Sequence, residues 1–174
     1  MQITHDTFWT IGAGLLVIRL VLGSLMLAHA GQKLFGWLDG GGLHGTAGYF
    51  EQIGFIPGLP FATAAAMGEM TSGLLILFGL LGPVGPALLL AIMLTAAISV
   101  HRGHGLFAAT NGIEVPLLYA TGALALALAG YGSYSVDALI GLDSVWTPSI
   151  ALITVAMGLA AGAGSLTARR LQDR

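Results

Sequence analysis

The segment Phe8–Ala30, FWTIGAGLLVIRLVLGSLMLAHA, decides the fold. At 1.5 Å of rise per residue, an apolar run of this length crosses about 30 Å of hydrocarbon. Trp9 stands where an interfacial anchor belongs, and a single charge, Arg19, interrupts the run. Ala28-His29-Ala30 mimics the small-residue cleavage site of a signal peptide. The head Met1–Thr7 carries no Lys or Arg, however, and Arg19 breaks the apolar stretch, so the segment reads as a mature transmembrane helix.

The pattern recurs downstream. Leu59–Leu81, Ala87–Val100, a run opened by Glu114 and Pro116 and reaching Ala129, and Pro148–Leu166 are further apolar spans. Pro116 fits the first turn of a helix, where no backbone N–H bond is lost. Gly82-Pro83-Val84-Gly85-Pro86 makes an uncharged tight turn, and Asn111-Gly112 marks another. Gly158 and Gly162, spaced as GxxxG, suit close helix packing inside the bundle and, less readily, a dimer face that would make the chain a homo-oligomer.

Composition agrees. The chain of 174 residues is 56% hydrophobic and only 8% charged, against about 25% charged in soluble domains. Lipid therefore replaces water around most of it. Net charge is −2 with no basic run, which disfavours nucleic acid as a partner. The chain contains no cysteine, which excludes thiolate nucleophiles, disulfide exchange and cysteine-held zinc or iron–sulfur clusters. Any redox chemistry needs a different electron carrier.

The scarce polar residues concentrate in one stretch, His29–Phe55, HAGQKLFGWLDGGGLHGTAGYFEQIGF. His29, Lys33, Asp39, His44 and Glu51 lie here, and Gly40, Gly41 and Gly42 supply turns. Thr46–Ile53 reads as a short helix, closed by Gly54 with Pro57 beyond. Trp37, Tyr49, Phe50 and Phe55 suit it to the headgroup layer.

Five spans place the termini on opposite sides. Lys33, Arg102, Arg169, Arg170 and Arg174 then share one side, which the positive-inside rule assigns to the cytoplasm. The expectation is an N-terminus outside and a C-terminus inside. Distance along the spans also fixes depth. Arg19 and Glu69 each fall roughly 10 residues, about 15 Å, into their spans, near the midplane. A lone charge there costs at least ~2.5–3.5 kcal/mol, so an Arg19–Glu69 pair is expected, as a structural ion pair or as part of a polar pathway. The same topology brings His29, Lys33, Glu51, His101 and Glu114 to one level at the inner surface.

Bland readings stand beside these. Lys33 and Glu51 also suit snorkelling interface charges, and His44, His101 and His104 suit wet loops. Met26, Met67, Met70 and Met93 read as core packing rather than metal ligands. His29 is harder to dismiss, because the helix around it is otherwise apolar.

These residues resemble a known family. Arg19 ahead of His29-Ala30-Gly31-Gln32-Lys33-Leu34-Phe35-Gly36-Trp37, followed by Gly45-Thr46-Ala47-Gly48-Tyr49-Phe50-Glu51-Gln52-Ile53-Gly54-Phe55, is similar to the DoxX family of small bacterial membrane proteins. Glu69 before Gly73-Leu74-Leu75, His101, Glu114-x-Pro116-Leu117-Leu118 and Gly132-x-Tyr134-Ser135-x-Asp137-Ala138 continue the likeness, which runs from about Leu15 to Leu142. The resemblance implies an all-α membrane bundle with a four-helix core. That core spans residues 1–142, with an interfacial loop and helix at 32–58. A fifth transmembrane helix and basic tail at 143–174 depart from the family's minimal pattern, as does Ala30 where glycine usually follows the histidine.

Name-giving relatives in that family look like subunits of a thiosulfate:quinone oxidoreductase. The leading expectation is therefore a bacterial inner-membrane redox subunit, among membrane lipids, that binds a quinone or a similar lipophilic carrier. His29, Glu51, His101 and Glu114 can exchange protons, Lys33 can stabilise an oxyanion, and Trp37 and Tyr49 can line the ring's slot. Electrons would come from a redox partner protein or a diffusible donor. A variant places haem b between His29 and His101. The competing expectation is a small-molecule or proton transporter, or an anchor for a soluble enzyme.

Overall fold

The computed structural model describes residues 5–169, and Arg170 and Arg174 of the expected basic tail lie outside them. Among the described residues every regular element is a helix. The order is α1 (His5–Phe35), α2 (Gly42–Gln52), α3 (Gly58–Phe78), α4 (Val84–Ala96), α5 (Glu114–Ala129), α6 (Val136–Ile140) and α7 (Pro148–Thr167). A π-helical turn, Ala97–His101, prolongs α4, and short 3₁₀ turns occupy Ala108–Thr110 and Leu142–Val145.

Four helices are long and apolar enough to cross a membrane: Trp9–Phe35, Gly58–Phe78, Val84–His101 and Pro148–Thr167. The expected fourth span is shorter. α5 has 16 residues, about 24 Å of helix, one side of which (Leu117, Leu118, Leu128) is exposed. Val17, Val21 and Leu25 on α1 and Leu152, Ile153 and Met157 on α7 are exposed as well. These helices are apolar on all sides, as expected where the outer face meets lipid. The chain is a helical membrane bundle.

α1 packs chiefly on α3, α3 on α4, and α4 on both α5 and α7. Met26, Ile76, Leu89, Met93, Leu126 and Val155 meet in the shared core. Met67, by contrast, is half exposed, on the outside of α3. The bundle has two distinct ends. One gathers the ends of α1, α4 and α7 with the starts of α3 and α5, and the other gathers the α3–α4 turn, the end of α5 and the start of α7.

Two boundaries differ from the sequence reading. α1 continues past Ala30 to Phe35, so Gln32 and Lys33 are helical rather than loop residues. α2 starts at Gly42, four residues before the expected Thr46. Its aromatic residues are also placed differently. Phe55 is buried and stacks between Phe50 (5.6 Å) and Phe61 (5.3 Å), so it fastens α2 to α3 instead of facing headgroups. Tyr49 and Trp37 remain exposed.

The GxxxG pair of α7 packs inside the chain. A Cβ on Gly158 would lie within 2.4 Å of the Ala87 carbonyl oxygen, and one on Gly162 within 2.8 Å of that of Ala91. These glycines let α7 approach the backbone of α4, so the intramolecular reading accounts for both. Gly164, two residues beyond Gly162, faces open space. We therefore expect Gly158→Leu to destabilise the detergent-solubilised protein by about 1–3 kcal/mol or more, read as a lowered thermal midpoint, while Gly164→Leu is tolerated. Equal midpoints would contradict this packing.

Candidate functional site

Arg19 and Glu69 do not pair. Arg19, almost fully buried, donates Nε–H to the Ile76 carbonyl (3.1 Å) and an Nη2–H to that of Leu77 (2.9 Å). Its Nη1 group donates to the carbonyls of Tyr131 (3.2 Å) and Tyr134 (2.9 Å), and its Cζ sits 5.4 Å from the Tyr131 ring centroid. The guanidinium thus meets carbonyls at the end of α3 and just beyond α5, where helix dipoles are negative. Ile76 and Leu77 lie about two turns, ~11 Å, beyond Glu69 along α3, which is why the expected pair cannot form. Depth counted from assumed span ends put the two charges level, and it ignored backbone carbonyls as partners.

Glu69 pairs with Lys33 instead. Lys33 Nζ donates to both carboxylate oxygens, at 2.6 and 2.8 Å, and the carboxylate side chain is only 6% exposed. The extension of α1 to Phe35 is what brings Lys33 here. This ion pair lies in the wall of a cavity of about 660 Å³ at the α1-end of the bundle. That volume lies within the range of small-molecule sites. Every long helix contributes to the wall: His29 and Lys33 from α1, Tyr49 from α2, Glu69 from α3, Thr95 from α4, Tyr119 from α5 and Ser165 from α7. Phe50, Phe55, Phe61, Ile92, Met93 and Val100 supply much of the apolar remainder.

The π-helical turn shapes one side. Ser99, Val100 and His101 of this turn all line the cavity, below Ala91, Ile92 and Met93 of α4. Single π-helical turns inside α-helices are frequent at functional sites. Ser99 Oγ donates to the Thr95 carbonyl, and Thr95 Oγ1 bonds to Ser165 Oγ at 2.8 Å, linking α4 to α7. His101 Nδ1 lies 2.8 Å from the Asn111 carbonyl oxygen. A carbonyl only accepts, so Nδ1 carries the proton and Nε2 is left for another partner. On the opposite side, the His29 ring meets Tyr119 edge-on, with centroids 6.2 Å apart. Partial burial raises the Tyr49 phenol above its ordinary range, with Arg169 opposing, so it acts as a neutral hydrogen-bonding group.

The expected site residues thus divide. His29, Lys33, Tyr49 and His101 line the cavity together with Glu69. Glu51 and Glu114 are at the same end but cap helices: Glu51 Oε1 accepts from Gly58 N at the start of α3 (2.9 Å), and Glu114 Oε2 accepts from Ala108 N (2.7 Å). An anionic side chain at a helix start satisfies free N–H groups and the positive dipole end. Trp37 packs outside the wall, against Phe35 (5.1 Å) and next to Gly31. Tyr119, Thr95, Ser99 and Ser165 were not singled out from sequence. Tyr119 had a usable signal as the sole aromatic of its span, and Thr95 and Ser99 as a polar i, i+4 pair in an apolar helix. Among the described residues, no three His, Cys, Asp or Glu side chains gather as a metal-holding group.

The two buried charges generate predictions. Lys33→Met should destabilise the protein strongly, by about 3–5 kcal/mol, because it strands a carboxylate away from water. The double variant Lys33→Met/Glu69→Leu should recover much of that loss, since an apolar pair replaces the ion pair. Thermal melts in one detergent decide the matter, and additive losses would contradict the pairing. Arg19→Lys should prevent recovery of folded protein, because three donors on one nitrogen cannot reach four carbonyls spread over two chain segments. A wild-type melting curve for that variant would contradict the clamp.

Comparison with known proteins adds the family. The DoxX family model matches residues 14–102, which covers α1 to the end of the π-helical turn. No curated protein and no solved structure matches the chain. The matched region holds Arg19, His29, Lys33, Glu69 and His101, and it exceeds half of the sequence: the chain belongs to the DoxX family.

Proposed function

We propose that this chain is a membrane redox subunit that binds a quinone, or a comparably small lipophilic electron carrier, in the cavity walled by His29, Lys33–Glu69, Tyr119 and His101. The observation that carries this reading is the cavity itself. A largely apolar chamber of about 660 Å³ holds a few polar side chains from facing helices, as a carbonyl-bearing ring requires. The Tyr119 hydroxyl and His29 can donate hydrogen bonds to ring oxygens, and His101 Nε2, unprotonated when Nδ1–H is held by Asn111, can accept the hydroxyl proton of a reduced ring. Membership of a family linked to redox and quinone systems supports the same reading.

Electrons would arrive from a partner protein or a diffusible donor, because the chain has no cysteine to carry them. Lys33, Arg102 and Arg169 share the cavity's end of the bundle, so under the positive-inside rule that end faces the cytoplasm. Arg169 Nε donates to the Ile53 carbonyl at 2.6 Å, fixing the end of α7 beside α2 there. Haem b between His29 and His101 is less well supported, because the His29 ring is packed edge-on against Tyr119.

The test is a titration of a short-chain quinone into the detergent-purified protein, followed by quenching of tryptophan fluorescence. Saturable binding should weaken roughly tenfold in His29→Ala and in Tyr119→Phe, the loss of one buried hydrogen bond or contact. Glu51→Gln, which keeps the cap on α3, should bind as wild type does. Affinity indifferent to the cavity substitutions would overturn the proposal and favour the transporter or anchor function.

A further inference from the structure

Lys33 and Glu69 are, among the described residues, the charged side chains in the cavity wall, and they neutralise each other. Both carboxylate oxygens are engaged by Nζ, at 2.6 and 2.8 Å. Two of the three ammonium protons are thereby used, leaving one that can point at a ligand oxygen without offering it a net charge. The surroundings are apolar, with Ile92, Met93 and Phe61 in the same wall, so an uncompensated charge entering the chamber would be poorly solvated.

We propose that the Lys33–Glu69 pair is the charge-selecting element of this cavity: it makes the chamber a site for uncharged ring ligands and rejects anionic ligands of the same shape. The inference rests on the reading of the cavity as a lipophilic-ligand site and adds which ligands that site takes. Its physical basis is a balance. The pair supplies polarity for a carbonyl oxygen, yet its opposed charges leave no net charge to hold an anion or a cation. Removing one member leaves the other unpaired and turns the chamber into a site for the opposite charge.

The experiment uses 9,10-anthraquinone, its 2-sulfonate and a 2-(trimethylammonio)methyl derivative, titrated into the 174-residue chain in one detergent at one fixed pH. Each probe partitions into micelles equally for every variant, so the ratio of variant to wild-type Kd for one probe is the readout. Glu69→Gln should shift the Kd of the sulfonate relative to that of the neutral ring by at least roughly tenfold in favour of the sulfonate, whatever the change in the neutral ring itself. Lys33→Gln should show the reciprocal gain for the quaternary ammonium, which cannot shed its charge. Helical content and monodispersity are checked first, and either variant that folds suffices. If folded variants gain no affinity for the charged probes while the neutral ring still binds, the charge-selection inference is overturned and the quinone reading stands. If no ring binds even to wild type, both fall.

Discussion

The structure depends on one buried guanidinium satisfied by backbone carbonyls. Arg19 ties α1 to the last turn of α3 and to the chain beyond α5 through four hydrogen bonds. Within a low-dielectric layer an unpaired cation is costly, and a guanidinium offers donors in a planar fork that can serve several acceptors at once. Gly79 completes the fit: its φ of +66° ends α3, and a Cβ there would lie 2.6 Å from the Arg19 guanidinium. Asp137 answers it across the same turn. Its carboxylate accepts from Leu81 N, Gly82 N and Trp146 Nε1, at the start of α4 where the dipole is positive. A cation at one helix end and an anion at the next close this end of the bundle.

Closing one end has a consequence for the other. With the helices fastened at the Arg19 end, the opposite end leaves room for a chamber, although α4 and α7 stay in contact there through Gly162 and the Thr95–Ser165 hydrogen bond. The chamber is then covered by α2, which Phe55 and the Glu51 cap hold against α3, and by the hydrogen bond from Arg169 to Ile53. Both intramembrane charges of the sequence are therefore used, but for different tasks. Arg19 holds the fold, and Glu69, through Lys33, shapes the cavity wall.

The membrane bundle was legible because hydrocarbon imposes length and composition, and those survive in sequence without any knowledge of contacts. The polar level was legible too: His29, Lys33 and His101 follow from topology alone. Partner choice was not. A buried charge is equally satisfied by a side chain of opposite sign or by helix-end carbonyls, and sequence spacing does not separate the two. Arg19 was assigned to Glu69 for that reason. Glu51 and Glu114 show the same limit in reverse, since a carboxylate at a helix start serves as cap or proton carrier depending on packing. Tyr119 and Thr95 carried weak signals, as a lone aromatic and as a polar residue in apolar helices, whereas Ser165 depends on the close α4–α7 approach.

The family match and the cavity do not coincide. The shared region ends at residue 102, yet Tyr119 and Pro116 on α5 and Gly162 and Ser165 on α7 complete the wall. α7 reaches it because Gly158 and Gly162 admit it against α4, and Ser165 then bonds to Thr95. α7, outside the matched region, is thus part of the chamber's wall. The matched region brings the ion pair and the two histidines of the wall. The helices beyond it set the chamber's remaining shape.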